Sequence, residues 1–487
     1  MKKYQYHIFS PYRVCPLGAH VDHQHGLVTG FAINKGVDLW WTPSGSPCLG
    51  GEEDPLNPPV YGESHVHLES KTFEGVVDFE INAPTQVREH HWGDYVRGAK
   101  YALMKRFELK RGIDGVIQGS LPVGGLSSSA AVLIAYVMAF AKANDIALKP
   151  FEVVKIASEA EREYIGLNNG LLDQACIALS KKDQLLFLDC DSNEYRLIPF
   201  GKTPSGSPCL GGERPPQSPC LGGEKPPQSP CLGGEKKSSL RREDLGGSEE
   251  SSLRREDLGG SEESSLRRED LGGSEESALN REDLGGSLPF EIGIFFSGLT
   301  RSLVNSDYNL RVYECKTAAW NMLAYTDQPL KTFDKTFLRD IPKATYEKTR
   351  IAMPARFARR AEHFYSEYRR VRQGVTAWET GNMKLFGKLS FDSCESSIHN
   401  YECGSPELIA IYEIMRSLPG VYGGRFSGAG FKGACIALVD PAYKEDIQKV
   451  LTEKYLEQFP EYEKTFQVFW VRPDDGARFV DPSNSPV

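Results

Sequence analysis

A stretch of short tandem repeats, residues 203–287, interrupts this chain and decides how the remainder can fold. An 11-residue unit, Ser-Pro-Cys-Leu-Gly-Gly-Glu-Arg/Lys-Pro-Pro-Gln, runs from Ser207, recurs at Ser218 and begins again at Ser229. A 13-residue unit starts at Ser238, Ser251 and Ser264 and degenerates from Ser277. The phrase Thr-Pro-Ser-Gly-Ser-Pro-Cys-Leu-Gly-Gly-Glu occurs at Thr42 and again, letter for letter, at Thr203. Short periods can signal a solenoid. Here each 13-residue unit offers two Leu and a Gly-Gly break, too little apolar surface to offset its ordering entropy. Residues 203–287 therefore read as a mobile insertion, and the identical copies point to a repetitive DNA element that came to be translated.

With the insertion set aside, the flanking sequence is continuous in character. Gln184–Cys190 and Phe290–Ser297 both read as strands, rich in Phe, Leu and Ile, and the repeats fall in the loop between them. Extra length there costs little. A smaller insert, residues 42–59, follows a strand at Gly36–Trp41. About 400 residues remain, enough for two domains. The expected division is an N-terminal domain over 1–202, the insertion over 203–287, and a C-terminal domain over 288–487.

Composition excludes some classes of function. The net charge is −9, and Ser238–Ser287 alone, with 7 Arg against 14 acidic residues, carries −7 of it. The rest is nearly neutral, so nothing indicates a nucleic-acid partner. The longest uncharged apolar run, Ala130–Ala141, is too short to span a bilayer. Met1–Pro11 lacks the apolar run of a signal peptide. Four of the 11 cysteines lie in the repeated phrase and none forms a CxxC pair, which favours buried thiols over disulfides or zinc ligands. A cytoplasmic protein, monomeric or weakly homo-oligomeric and acting on a small molecule, is expected.

The strongest local signal is GSLPVGGLSSSAA, Gly119–Ala131, followed by an apolar helical run. Glycines permit close backbone approach, serines offer hydroxyls and an N-cap, and a helix N-terminus attracts phosphate. No Lys follows, so this is not the GxxxxGK[ST] loop.

These residues resemble the second signature of the GHMP kinases, P-x-G-x-G-L-S-S-S-A, with one residue fewer before Leu126. PYRVCPLGAHVDHQ, Pro11–Gln24, resembles the sugar signature of the galactokinase branch, and GGRFSGAGFKGACIALV, Gly423–Val439, the third GHMP motif. Ala160–Gln174 aligns without a gap to a further galactokinase segment, and Ser306–Arg311 to the one around its sugar-contacting tyrosine. The resemblance implies an α+β fold of two domains, the first like ribosomal protein S5 and the second ferredoxin-like, with the site between them.

It also implies roles. Asp173 would be the base that takes the proton of an anomeric hydroxyl, with Arg13 beside it stabilising charge on the transferring group. Gly124, Gly125, Ser127 and Ser128 would hold the phosphates of ATP, with Trp92 against the adenine. Ser129 and Glu161 would face Mg2+, which takes hard oxygen ligands. His20, Asp22, Gly170 and Tyr308 would contact the sugar.

One departure bears on substrate. Galactokinases carry Glu before the His of the first motif, and this chain has Ala19. A glutamate there would face the carboxylate of a uronic acid, and like charges at about 4 Å cost about 1–4 kcal/mol. PYRVCPLGAHVDHQ, INKG at Ile33–Gly36 and YECG at Tyr401–Gly404 together resemble the galacturonokinases of plants, which implies D-galacturonate as acceptor, with Arg301 and His23 as candidate cations. A galactokinase acting on D-galactose and a non-catalytic, galactokinase-like sugar sensor are the alternatives. The Ser129-Ala130 pair counts against the sensor. His20-x-Asp22 counts against the mevalonate or homoserine kinase branches.

Overall fold

The computed structural model describes residues 4–46, 62–84, 88–201, 288–299 and 308–482. The repeats, most of the smaller insert, and Arg301 lie outside the described residues. Those described fall in one compact unit.

Two sheets organise it. The first is built on a long strand, β2 (Leu27–Pro43), which pairs antiparallel with β1 (Tyr6–Val14) along one edge. On its other edge the start of β2 pairs with β6 (Gln184–Asp189) and its end with β5 (Ile113–Gly119). Beyond β5 lie β3 (His65–Ser70), in parallel register, and β4 (Val76–Glu80). A strand absent from the sequence reading, β7 (Tyr195–Pro199), pairs with β6. It is short and half-exposed, so it lacks the apolar run that marked its neighbour.

The second sheet is antiparallel throughout, in the order β11 (Gln467–Val471), β8 (Glu291–Phe296), β10 (Ala434–Val439), β9 (Val421–Phe426). Every residue of β8 and β10 is buried, which accounts for their largely apolar composition; Glu291 at the start of β8 is paired with Lys444 and Arg472. The chain then returns to the first sheet: β12 (Pro473–Asp474) pairs with β2 and β13 (Arg478–Val480) with β1.

Helices cover both sheets. In the first half they are α1 (Gly93–Met104), α2 (Ser128–Ala143), α3 (Pro150–Glu159) and α4 (Leu172–Leu179). The second half has α5 (Tyr308–Ala324), α6 (Lys343–Thr349), α7 (Ala355–Glu379), α8 (Met383–His399), α9 (Pro406–Arg416) and α10 (Lys444–Gln458). The apolar run foreseen after the serines is α2, whose Leu133, Ile134, Val137 and Phe140 are fully buried in the core beneath β1, β2 and β5. That core runs on through Trp378 to Ile292 and Ile294 of the second sheet, so one continuous apolar interior supports both sheets. The mixture of sheets and helices is the α+β organisation expected. Among the described residues no helix is long and apolar enough to cross a membrane.

Candidate active site

The loop before α2 owes its path to glycine. Gly125 has φ +78°, and a Cβ there would lie 2.9 Å from the Ser427 carbonyl oxygen. The glycine-rich turn after β9 thus rests backbone to backbone on the loop before α2, and a side chain at this point would separate them.

Beside this contact opens a cavity of about 920 Å³. Its wall includes Arg13 of β1, Ala19, His20 and Asp22 from the β1–β2 connection, and Gly124, Gly125, Ser127, Ser128 and Ser129 from the loop and first turn of α2. Trp92, Glu161, Asp173 and Tyr308 complete the set. Of the described residues singled out in the sequence, Gly170 and His23 are not on the wall. Gly170 lies close behind it: a Cβ on Gly170 would sit 2.6 Å from the carboxyl carbon of Asp22, so only glycine admits Asp22 to its place.

Asp173 stands in the first turn of α4. Arg13 donates Nε to it at 2.7 Å, and Ser127 donates its hydroxyl to the other carboxylate oxygen. Burial works against the charge on Arg13, yet Asp173 beside it more than compensates and raises its pKa. Arg13 also donates to the Gly125 carbonyl at 3.0 Å, tying β1 to the glycine loop. The hydroxyl of Ser127 is therefore spent on Asp173. Ser127 occupies the N-cap of α2 in the left-handed region (φ +58°) and makes no capping bond with its side chain. The amides of the first turn of α2 are left without a side-chain cap, the arrangement in which a helix N-terminus serves an anion.

Glu161 lies in a π-helical turn, Ala160–Ile165, that continues α3. Such a turn carries one residue more than an α-helical turn and is frequent at functional sites. Here a segment whose composition reads as solvated helix delivers a fully buried carboxylate. Burial, followed by the nearby Asp173, raises its pKa. Asn169 donates to Glu161 at 2.7 Å and Gln174 at 2.5 Å, while the amide oxygens Oδ1 of Asn169 and Oε1 of Gln174 are buried without a partner. Ser129, Glu161 and Asn169, with its orphaned oxygen, share the cavity wall and offer hard oxygens, which fits magnesium.

At the β1–β2 connection, Asp22 is buried and its pKa is pushed up to about 6 by desolvation and then by Asp173. His20 adopts φ +62° and stacks on Tyr401 with ring centroids 4.3 Å apart. Burial and then the charge of Arg425 hold the pKa of His20 well below its usual range, so it is neutral. His23 does not serve as a cation. It is buried against the Tyr401 hydroxyl (3.1 Å), and desolvation lowers its pKa to about 3.

Three residues at this end were not foreseen. His363 Nε2 lies 3.0 Å from the Ala19 carbonyl, and Glu367 accepts the Gly18 N–H at 2.6 Å, so α7 holds the turn carrying Ala19. Arg425 of β9 lines the cavity while its guanidinium donates to Ser393, Ser397 and the Phe426 carbonyl. Arg425 stood within a quoted motif and Glu367 within a charged helix; burial, which distinguishes both, has no local signal.

A glycine loop feeding a helix N-terminus, an Arg-supported carboxylate and a buried oxygen set are the parts of a phosphoryl-transfer site. The sequence patterns bear this out: the GHMP kinases N terminal domain matches residues 94–181 and the GHMP kinases C terminal matches residues 375–457. The chain belongs to the GHMP kinase family and has its two-domain fold. It is 34% identical to the galacturonokinase of Arabidopsis thaliana over 475 residues, covering 93% of this chain and 88% of that protein. It is 26% identical to the galactokinase of Clostridium perfringens, covering 94% and 92%. Among solved structures it resembles Lactococcus lactis galactokinase complexed with galactose (TM-score 0.69, 22% identity, covering 97% of this chain and 94% of that one). The mevalonate kinase of Methanococcus jannaschii shares the fold more distantly (TM-score 0.53, 15% identity, covering 96% and 98%).

Proposed function

We propose that the protein is a sugar-1-kinase that phosphorylates D-galacturonate at its anomeric hydroxyl, giving galacturonate 1-phosphate. Asp173 takes the proton of the anomeric hydroxyl as its oxygen bonds to the γ-phosphorus of ATP and the bond to the β-phosphate oxygen breaks. Arg13 and Ser127 fix the carboxylate for that transfer, each through one oxygen. The uncapped first turn of α2 receives the phosphates, and Trp92 closes the adenine end. Ser129 and Glu161 would hold a magnesium ion, which when bound neutralises charge on the phosphates.

Ala19 carries the choice of substrate. Its methyl group stands on the cavity wall next to His20 and Asp22, so no carboxylate from this position opposes an anionic C6 group. Arg425 places a buried positive charge at the same end, where it adds to the burial that holds the pKa of His20 low. The likeness to a galacturonokinase along nearly the whole chain supports the same substrate. We further place the domain division at the insertion, 1–202 and 288–487, and the enzyme in the cytoplasm as a monomer or weak homo-oligomer.

The test is ADP release with ATP and magnesium, against D-galacturonate and D-galactose side by side. Turnover of galacturonate with little on galactose is expected. A preference for galactose would overturn the substrate, and no turnover of either by folded protein would favour the sensor.

A further inference from the structure

Away from the cleft, the hairpin of β3 and β4 gathers two imidazoles and a carboxylate on one face. His65 and His67 are two residues apart on β3, so both side chains leave the same face of the strand. Directly opposite on β4, in antiparallel register, stand Glu80 against His65 and Asp78 against His67. The carboxylate of Asp78 lies between the rings, with Oδ1 2.7 Å from His65 Nε2 and Oδ2 2.9 Å from His67 Nδ1.

We propose that this hairpin is a second metal site, taking one divalent ion of the zinc type through His65, His67 and Asp78. One ligating atom from each residue lies within 4.8 Å of the others. Bonds of about 2.0–2.2 Å to zinc require ligand atoms about 3.4 Å apart in a tetrahedron, a change of spacing that side-chain rotation supplies. Two imidazole nitrogens and one carboxylate select zinc and its transition-metal neighbours over magnesium, which wants oxygen alone.

The surroundings match a built site. His65 Nδ1 meets Glu80 at 3.0 Å and His67 Nε2 meets Glu69 at 3.8 Å, so each ring has a carboxylate on the nitrogen away from the ion. Such outer partners fix ring orientation and raise ligand basicity in known zinc sites. The rings are 12% and 15% exposed and Asp78 48%, which shields the imidazoles and leaves an entry path on the carboxylate side.

The ion would clamp the two strands whose connecting segment reaches the cleft. Thr72, Phe73 and Glu74 of that segment line the cavity, and the Glu74 carbonyl accepts the indole N–H of Trp92 at 3.1 Å.

The full-length protein, stripped with a chelator, is titrated with ZnCl2 by calorimetry in buffer containing magnesium, and with Co2+ by absorption. One tight equivalent is expected, with a higher Tm and cobalt bands of nitrogen and oxygen coordination. His67→Asn and Asp78→Asn should each weaken that equivalent at least about 10-fold while kinase turnover without zinc stays unchanged. Asp78→Asn, isosteric and half-exposed, guards against loss of fold in the histidine variant. No tight equivalent in the unaltered protein would overturn the proposal. So would equal affinity in both variants, or a thiolate-to-cobalt charge-transfer band on that equivalent, which would place the ion on cysteine.

Discussion

The carboxylate of Glu367, on α7, accepts the backbone N–H of Gly18 at 2.6 Å, so a helix of the second half fixes the turn that presents Ala19, His20 and Asp22. Burial alone would raise the pKa of Glu367. Arg370, then His363 and Arg425, together with a bond from Ser393, overcome this and bring it to about 2. Its contribution to stability is therefore complete above the ordinary carboxylate range and lost as pH falls toward 2. Glu367→Gln should cost about 3–5 kcal/mol near neutral pH, because charged partners stay buried without their anion. Urea unfolding reads this directly. In whatever folds, the KM for the sugar should rise more than kcat falls.

Asp173→Asn keeps the shape of the side chain and removes the proton acceptor. Turnover should drop about 10²–10⁴-fold, the usual range for a lost general base, with the KM for ATP little changed. Arg13→Lys preserves charge but not the paired reach of one guanidinium to Asp173 and the Gly125 carbonyl. It should therefore lower kcat by a similar order. Steady-state kinetics with circular dichroism as a folding control decides both.

Asp22 combines function with a stability cost. Its folded pKa of about 6 lies above the ordinary aspartate value of 3.8, so the folded state binds this proton more tightly than the unfolded chain. The associated stability is present below about 3.8 and lost as pH rises through about 6. Asp22→Asn should therefore raise the Tm at pH 8, by the equivalent of roughly 1–3 kcal/mol, while weakening sugar binding. In the unaltered enzyme kcat/KM for the sugar should fall as pH drops through about 6. That acid limb should flatten in the variant.

Ala19→Glu places a carboxylate on the cavity wall. Galacturonate turnover should fall about 10–100-fold, as expected from a few kcal/mol of like-charge repulsion, and galactose should be relatively favoured. Unchanged discrimination would remove Ala19 from the specificity argument.

What could be read from the sequence was the chemistry that short stretches carry. Gly-Gly-Leu-Ser-Ser-Ser-Ala announces a phosphate loop because the residue types needed are adjacent, and the structure brings that loop against Arg13 and Asp173 from distant parts of the chain. Glu161 is a different case. Its neighbours Ser158, Glu159 and Arg162 describe a wet helix surface, and a π-helical turn buries the carboxylate anyway. Ser127 looked like a phosphate ligand and N-cap, yet its hydroxyl is engaged by Asp173, a partner 46 positions away. His23 looked like a cation, and burial makes it neutral. Glu367 and Arg425 owe their importance to the absence of water around them. No local pattern encodes that.

The return of β13 to pair with β1 joins Arg478 to Phe9 and Val480 to His7. During synthesis, β1 leaves the ribosome long before β13, the strand that pairs with it on this side. Until then β1 presents an open row of amides and carbonyls, the kind of edge that invites pairing with another chain. Contacts so distant in sequence also slow folding. The nascent protein is thus exposed to aggregation along β1 in the interval before β13 emerges, and chaperone demand should fall there.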